Sequence, residues 1–187
     1  MSNTFTTEKR VLAIDPTTKG FGFAVIEWPE RLIDWGVKGV KKNKNEHSLG
    51  LILDLIDQYR PDVIVAEDCD GKASRRCQRV QELISEIQKL SSENRIETRS
   101  FSRSELRKAF SQSGAFTKNQ ISTAIAQRLP ELAQRLPPLR KSWMSEDYRM
   151  GIFDAVSFAL AFFYFEDKKK RPLRPYRHPP LLHDRGH

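Results

Sequence analysis

Val11-Leu12-Ala13-Ile14-Asp15-Pro16-Thr17-Thr18-Lys19-Gly20-Phe21-Gly22-Phe23-Ala24-Val25-Ile26-Glu27 decides the fold. Arg10 to Asp15 reads as a first strand closed by an acid. Pro16 to Gly20 is a turn by its residue types. Phe21 to Trp28 resumes with strand formers, and Arg31 to Val40 follows after Pro29. Three strands joined by short turns make an antiparallel meander. Asp15 is informative because a carboxylate joined to a buried segment costs several kcal/mol unless a cation or hydrogen bonds compensate it.

The same pattern recurs at Asp62-Val63-Ile64-Val65-Ala66-Glu67, a β-branched apolar strand of the kind that lies centrally in a covered sheet. Before it, Leu49, Ile52, Leu53 and Ile56 recur at helical spacing, and Pro61 stops that helix. After it, Ser74 to Leu90 reads as a helix with Val80, Leu83, Ile84 and Ile87 on one face. Arg95 to Phe101 reads as a fifth strand. Ser104 to Phe110 and Lys118 to Leu132 read as short helices around a turn at Gly114. Pro137-Pro138 breaks the chain, and a last helix runs from Glu146 to Phe165. This order predicts an α/β fold with helices on both faces of a mixed sheet. The first strand should lie beside the fourth, bringing Asp15 near Glu67.

A third acid sits in Gly151-Ile152-Phe153-Asp154-Ala155-Val156, within a helix apolar enough to be enclosed on most sides. Any one of these acids could be salt-bridged or capped. Three on three segments, in a chain of net charge +8, suggest a metal site facing a polyanion. Phosphodiester hydrolysis must activate water, neutralise a pentavalent phosphate and stabilise a leaving alkoxide. Two divalent ions about 3.5–4 Å apart can do all three, and hard ions such as Mg²⁺ or Mn²⁺ take oxygen ligands. Asp15 is the natural bridge between two such ions, with Glu67 and Asp154 completing one side each.

Composition narrows the partners. The 187 residues suffice for one domain with a full core. Lys and Arg outnumber Asp and Glu by 32 to 24, which favours DNA, RNA or an anionic membrane. Cys69 and Cys77 form no disulfide framework, and no Cys/His cluster has zinc spacing. A reducing cytoplasm is the default location. The first ten residues lack a secretory apolar core. The stretch Ala155 to Phe165 is too short to span a bilayer, which needs roughly 20 residues. No Gly-rich phosphate loop occurs, which argues against an ATPase. His178, His183 and His187 read as solvated.

The quoted opening stretch resembles the first strand pair of RuvC-like Holliday junction resolvases, a branch of the RNase H-like superfamily. Asp62 to Glu67 resembles their second acidic strand. Ser104-Glu105-Leu106-Arg107-Lys108-Ala109 with Gly114-Ala115-Phe116-Thr117-Lys118-Asn119-Gln120 resembles their basic segment near DNA. Phe153-Asp154-Ala155-Val156-Ser157-Phe158-Ala159-Leu160 resembles their final helix. The matches keep family order over most of residues 10 to 165. The resemblance implies an RNase H-like sheet of three antiparallel then two parallel strands, spanning residues 1–167. It implies a homodimeric, divalent-metal-dependent endonuclease that nicks branched DNA, with Asp15, Glu67 and Asp154 as ligands of two Mg²⁺ or Mn²⁺ ions. Lys118 helps bind or polarise the phosphate, and a branch-migration motor is a candidate partner.

The sequence also departs from the pattern. Three residues before the final acid the family carries another acid or a His, and here stands Gly151. Asp147 shares the helical face of Asp154 and is a candidate fourth ligand, although two turns is about 11 Å along a helix; Glu146, Asp68 and Asp70 are weaker candidates. Arg75, Arg76 and Arg79 open the second helix, and Arg103, Arg107, Lys108 and Lys118 cluster later; these are the expected DNA contacts. The loop Cys69 to Ala73 corresponds to one that enters the junction, but it has no aromatic wedge. The second helix, the family's dimer interface, is highly charged. Residues 168–187 read as a basic, Pro-rich mobile tail that adds salt-sensitive affinity, docks a protein or is inert. Two other readings stand beside the resolvase: another RNase H-like nuclease acting on RNA or mobile-element DNA, and a catalytically silent nucleic-acid-binding domain.

Overall fold

Side chains alternate across a strand, so residue parity assigns each strand position to one face of the sheet. The computed structural model of the chain describes residues 9–28, 31–68, 76–141 and 143–170. Among these, β1 (Arg10–Thr17), β2 (Gly20–Glu27), β3 (Arg31–Gly39), β4 (Val63–Glu67) and β5 (Glu97–Phe101) form one sheet in the order β3-β2-β1-β4-β5. The β1, β2 and β3 pairings are antiparallel. β4 pairs parallel with both β1 and β5. This is the expected mixed sheet of three antiparallel then two parallel strands. Five α-helices accompany it: α1 (Lys44–Tyr59), α2 (Gln78–Glu93), α3 (Arg103–Phe110), α4 (Lys118–Arg128) and α5 (Met150–Lys170).

Parity splits the core in two. Leu12, Ile14 and Ile64 pack with Ile52, Leu55 and Ile56 of α1 and Leu83 and Ile87 of α2. Val11, Ala13, Val63 and Val65 point the other way, onto Phe153, Val156 and Phe158 of α5 and the apolar sides of α3 and α4. Asp15 and Glu67 continue the odd-numbered series, so alternation delivers both acids to the face covered by α5. Every residue of α5 from Met150 to Phe163 is buried. Each large apolar side chain so placed stabilises the fold by roughly 1.5–3 kcal/mol. Within this helix the Ser157 hydroxyl donates to the Asp154 carbonyl at 2.7 Å, which leaves the Asp154 carboxylate as the group needing outside partners.

Several boundaries differ from the sequence expectation. α2 begins at Gln78, with Cys77 exposed at its N-cap; the expected start at Ser74 lies outside the described residues. α4 stops at Arg128, and a 3₁₀ turn over Pro130–Arg135 replaces its expected last turn, because Pro130 has no N–H to extend the ladder. α5 starts at Met150 rather than Glu146. There the Asp147 carboxylate accepts from the Arg149 amide at 2.9 Å and the Asp147 carbonyl accepts from Met150 at 3.0 Å. Such local bonding of an Asp to nearby amides favours a turn over helix interior. α5 also continues to Lys170, past the expected domain boundary at residue 167. Residues 171–187 of the basic tail lie outside the described residues.

The start of α5 is pinned by contact between two glycines. A Cβ built on Gly22 would stand 2.2 Å from the Gly151 carbonyl oxygen, whereas one on Gly151 meets nothing nearer than the Gly22 Cα at 3.4 Å. Gly22→Ala should therefore destabilise the protein by about 1–3 kcal/mol, the scale of core overpacking. Gly151→Ala should be neutral or stabilising by up to about 1 kcal/mol, as for glycine replaced inside a helix. Urea denaturation of the two variants checks this; equal effects would discount the asymmetry.

Candidate active site: three buried carboxylates and their counterions

The convergence of strand ends and a buried helix sets the geometry. Asp15 near the end of β1, Glu67 at the end of β4 and Asp154 one turn into α5 are 2%, 7% and 5% exposed. One guanidinium joins the first two: Arg76 Nη2 donates to Asp15 Oδ1 and Arg76 Nε to Glu67 Oε2, each at 2.6 Å. A second joins the last two: Arg103 Nε donates to Glu67 Oε1 at 2.9 Å and Arg103 Nη1 to Asp154 Oδ1 at 3.3 Å. Lys118 Nζ then bridges Asp154 Oδ2 at 2.6 Å and Glu146 Oε1 at 2.5 Å. The three acids are thus linked in series, Asp15 to Glu67 by Arg76 and Glu67 to Asp154 by Arg103.

Each cation is itself positioned. Arg76 Nη1 donates to the Pro16 carbonyl at 3.2 Å, and Arg103 lies with its guanidinium carbon 5.8 Å from the Phe158 ring centroid. Arg103 opens α3 behind the capping box of Ser102 and Glu105, and Lys118 opens α4 behind that of Thr117 and Gln120. These caps fix the two helix starts that aim basic residues at the site. Arg79 donates to the Thr17 carbonyl and, at 2.8 Å, to Asn45 Oδ1, bracing the far end of β1.

Burial and the adjacent Asp154 carboxylate push Asp15 up to about 7, against the opposing pull of Arg76, Lys118 and Arg103. Burial disfavours charge on Arg76, Arg103 and Lys118, yet the carboxylates outweigh it and hold all three above their ordinary values.

Of the residues expected from sequence, Asp15, Glu67, Asp154 and Lys118 come together. Arg76 and Arg103, expected on nucleic acid, here hold the acids. Arg107 and Lys108 are exposed on α3. Arg75 and Asp70, with the loop Cys69 to Ala73, lie outside the described residues. Asp147 is held by Arg149 at 2.7 Å, which also lowers its pKa. It is Glu146, through Lys118, that reaches the carboxylate series. Asp68 is half-buried, its amide donating to the Phe101 carbonyl at 3.0 Å. Gly151 adjoins the site: a Cβ there would lie 3.9 Å from Asp15 Oδ2. Sequence reading missed the counterion role of Arg76 and Arg103. The available signal was the burial of three acids, which demands cations of matching number.

The donor set suits a hard divalent ion, since it consists of carboxylate oxygens on rigid elements. Among the described residues, no three Asp, Glu, His or Cys side chains stand together as a ready metal cage. Taking up ions here requires the guanidiniums to move aside.

No protein-family model matches the chain and no curated protein matches it in sequence. Solved structures do match. Thermus thermophilus RuvC is similar with a TM-score of 0.62 at 16% identity, over 86% of this chain and 96% of that one. The yeast mitochondrial Holliday junction resolvase Ydc2 gives 0.61 at 14%, over 87% and 81%. The Fowlpox virus resolvase, solved with substrate Holliday junction DNA, gives 0.54 at 14%, over 82% and 97%. The chain therefore has a RuvC-like resolvase fold.

The raised Asp15 pKa has a stability consequence. In an unfolded chain this carboxyl ionises near pH 3.8, whereas folded it stays protonated to about 7. Between those values the folded state holds the extra proton, so this group's contribution to stability falls as pH rises. Without divalent ions, Asp15→Asn should gain melting temperature relative to wild type on going from pH 5 to pH 8. A difference that stays constant with pH would count against the shift.

Proposed function

We propose that this protein is a divalent-metal-dependent endonuclease that nicks branched DNA, four-way junctions in particular. The observation supporting it is the series Asp15, Glu67 and Asp154, three buried carboxylates brought from three elements of a RuvC-like fold and linked only through cationic groups. Net charge +8 suits a polyanionic substrate, and two matching structures, of Thermus thermophilus RuvC and of the Fowlpox virus resolvase, contain a Holliday junction substrate.

Asp15, Glu67 and Asp154 would hold two Mg²⁺ or Mn²⁺ ions. Such ions supply water activation and neutralise charge on the phosphate and leaving oxygen. The chain's own residues do the rest. Arg76 and Arg103 hold the carboxylates in register while these lack other counterions, then turn to phosphate oxygens, for which a guanidinium fork is well shaped. Lys118, already at Asp154, presents its ammonium to the scissile phosphate. Arg107 and Lys108 extend a basic surface along α3, where backbone contacts orient DNA without reading its sequence. We propose a homodimer to place two sites on opposed strands, with a branch-migration motor as a possible recruiter. The outer face of α2, which carries Gln81, Glu82, Ser85, Glu86 and Lys89, would make that interface polar.

With Mg²⁺, wild type should nick a four-way junction, and Asp15→Asn should lower the rate by more than about 100-fold, beyond the cost of losing an outer partner of a metal ligand. Equal rates would remove the mechanism. Linear duplex, flap and RNA-containing substrates separate junction cleavage from other RNase H-like nuclease activity.

One observation favours a second reading. Guanidiniums bridge the acids and position 151 offers no side chain, as expected of a silent DNA-binding domain whose arginines replace metal for good. Calorimetric titration with Mn²⁺ discriminates: junction binding with neither ion uptake nor cleavage assigns the silent form.

A further inference from the structure

Five of the six exposed large apolar side chains among the described residues fall between positions 116 and 148. They are Phe116 at 55%, Leu139 at 77%, Trp143 at 78%, Met144 at 49% and Tyr148 at 69%. Leaving a tryptophan this exposed forgoes roughly 1.5–3 kcal/mol of burial, so a solvent-facing group of such residues marks an interaction surface. Their placement relative to the site is specific. Phe116 lies two residues before Lys118, and Trp143 and Tyr148 bracket Glu146. The 2.5 Å Lys118–Glu146 ion pair draws the two segments together at the edge of the carboxylate series. Between them lies an apolar recess of about 210 Å³ lined by Lys118, Pro137, Pro138, Arg140, Glu146 and Met150, among others. The charge beside the aromatics is basic: Arg140 and Lys141 are exposed, and Lys141 Nζ stands 5.4 Å from the Trp143 ring centroid. Asp147 and Glu146 are meanwhile held by Arg149 and Lys118.

We propose that Trp143, with residues 139–141 on one side and 144–148 on the other, is a stacking platform for unpaired or splayed bases of DNA at the branch point, next to the cleavage site. The inference rests on the nucleic-acid reading above. An aromatic ring flanked by Lys and Arg receives a base on its face and the adjoining phosphates on its cations, a pairing that tolerates any sequence. It also places an aromatic contact on the approach to α5, whereas the loop after β4 has none in its sequence.

The test compares wild type, Trp143→Ala and Trp143→Phe by fluorescence anisotropy on a four-way junction and a linear duplex of the same sequence, in EDTA, with 2-aminopurine at the crossover. Trp143→Ala should lose about tenfold or more in junction affinity, the scale of one base–aromatic stack. Its duplex affinity and melting temperature should be unchanged, and it should no longer alter 2-aminopurine emission. Trp143→Phe should recover most of the affinity. Unchanged junction affinity and emission in Trp143→Ala, with wild type still nicking junctions, overturns the platform and leaves the nuclease standing. A Trp143→Ala defect in a protein that binds junctions without cutting keeps the platform and removes the nuclease. Loss of self-association in Trp143→Ala by sedimentation, with junction affinity unchanged, assigns the surface to a second copy of the chain and overturns the proposal. So does a wild type that binds no DNA.

Discussion

Confining three carboxylates to one buried corner of a sheet is the constraint around which this molecule is arranged. Two of them lie there because odd-numbered positions of β1 and β4 face α5, and the third because α5 must be covered to satisfy its own apolar surface. None of the acids can be withdrawn without abandoning core packing. Their mutual repulsion must therefore be met by cations, and the chain meets it with Arg76 just ahead of the N-cap of α2, Arg103 at the start of α3 and Lys118 at the start of α4. Each buried charge is costly alone and tolerable only as part of the series. The set is accordingly sensitive to pH and to the loss of any member.

The arrangement gives the basic residues two possible employments. A guanidinium that bridges two carboxylates is held through the same N–H groups that would grip a phosphate. Under the proposed function, contacts to acid and to DNA would compete for one fork, and the surroundings would decide which wins. That competition would link the electrostatics of the protein's interior to its partner.

Much of this was readable from residues. The apolar run ending at Asp15 and its repeat ending at Glu67 predicted adjacent strands, and β1 does pair with β4. The enclosed helix around Asp154 was evident from its composition. The capping boxes beginning at Ser102 and Thr117 went unread, and the third helix was placed one residue late while the fourth ran past Pro130. What the sequence hid was contingent on three dimensions. Periodicity put Asp147 on the face of Asp154, but its bond to the Arg149 amide ends the helix before reaching it. Glu146, ranked lower, arrived at the site through Lys118. Charge runs at Arg76 and Arg103 look like solvated faces until the acids opposite them are seen to be buried.

The contact between Gly22 and Gly151 has a historical side. A glycine codon becomes an aspartate or a glutamate codon, according to its third base, through a single base change, and the two glycines are not equally free to take that step. Backbone blocks any side chain at 22, while at 151 there is room for one directed at Asp15. Drift at the first position is closed off by packing; at the second it leads straight towards an additional acid. A substitution at 151 would thus start a side chain beside Asp15 on the backbone as it stands, whereas one at 22 would have to displace backbone first.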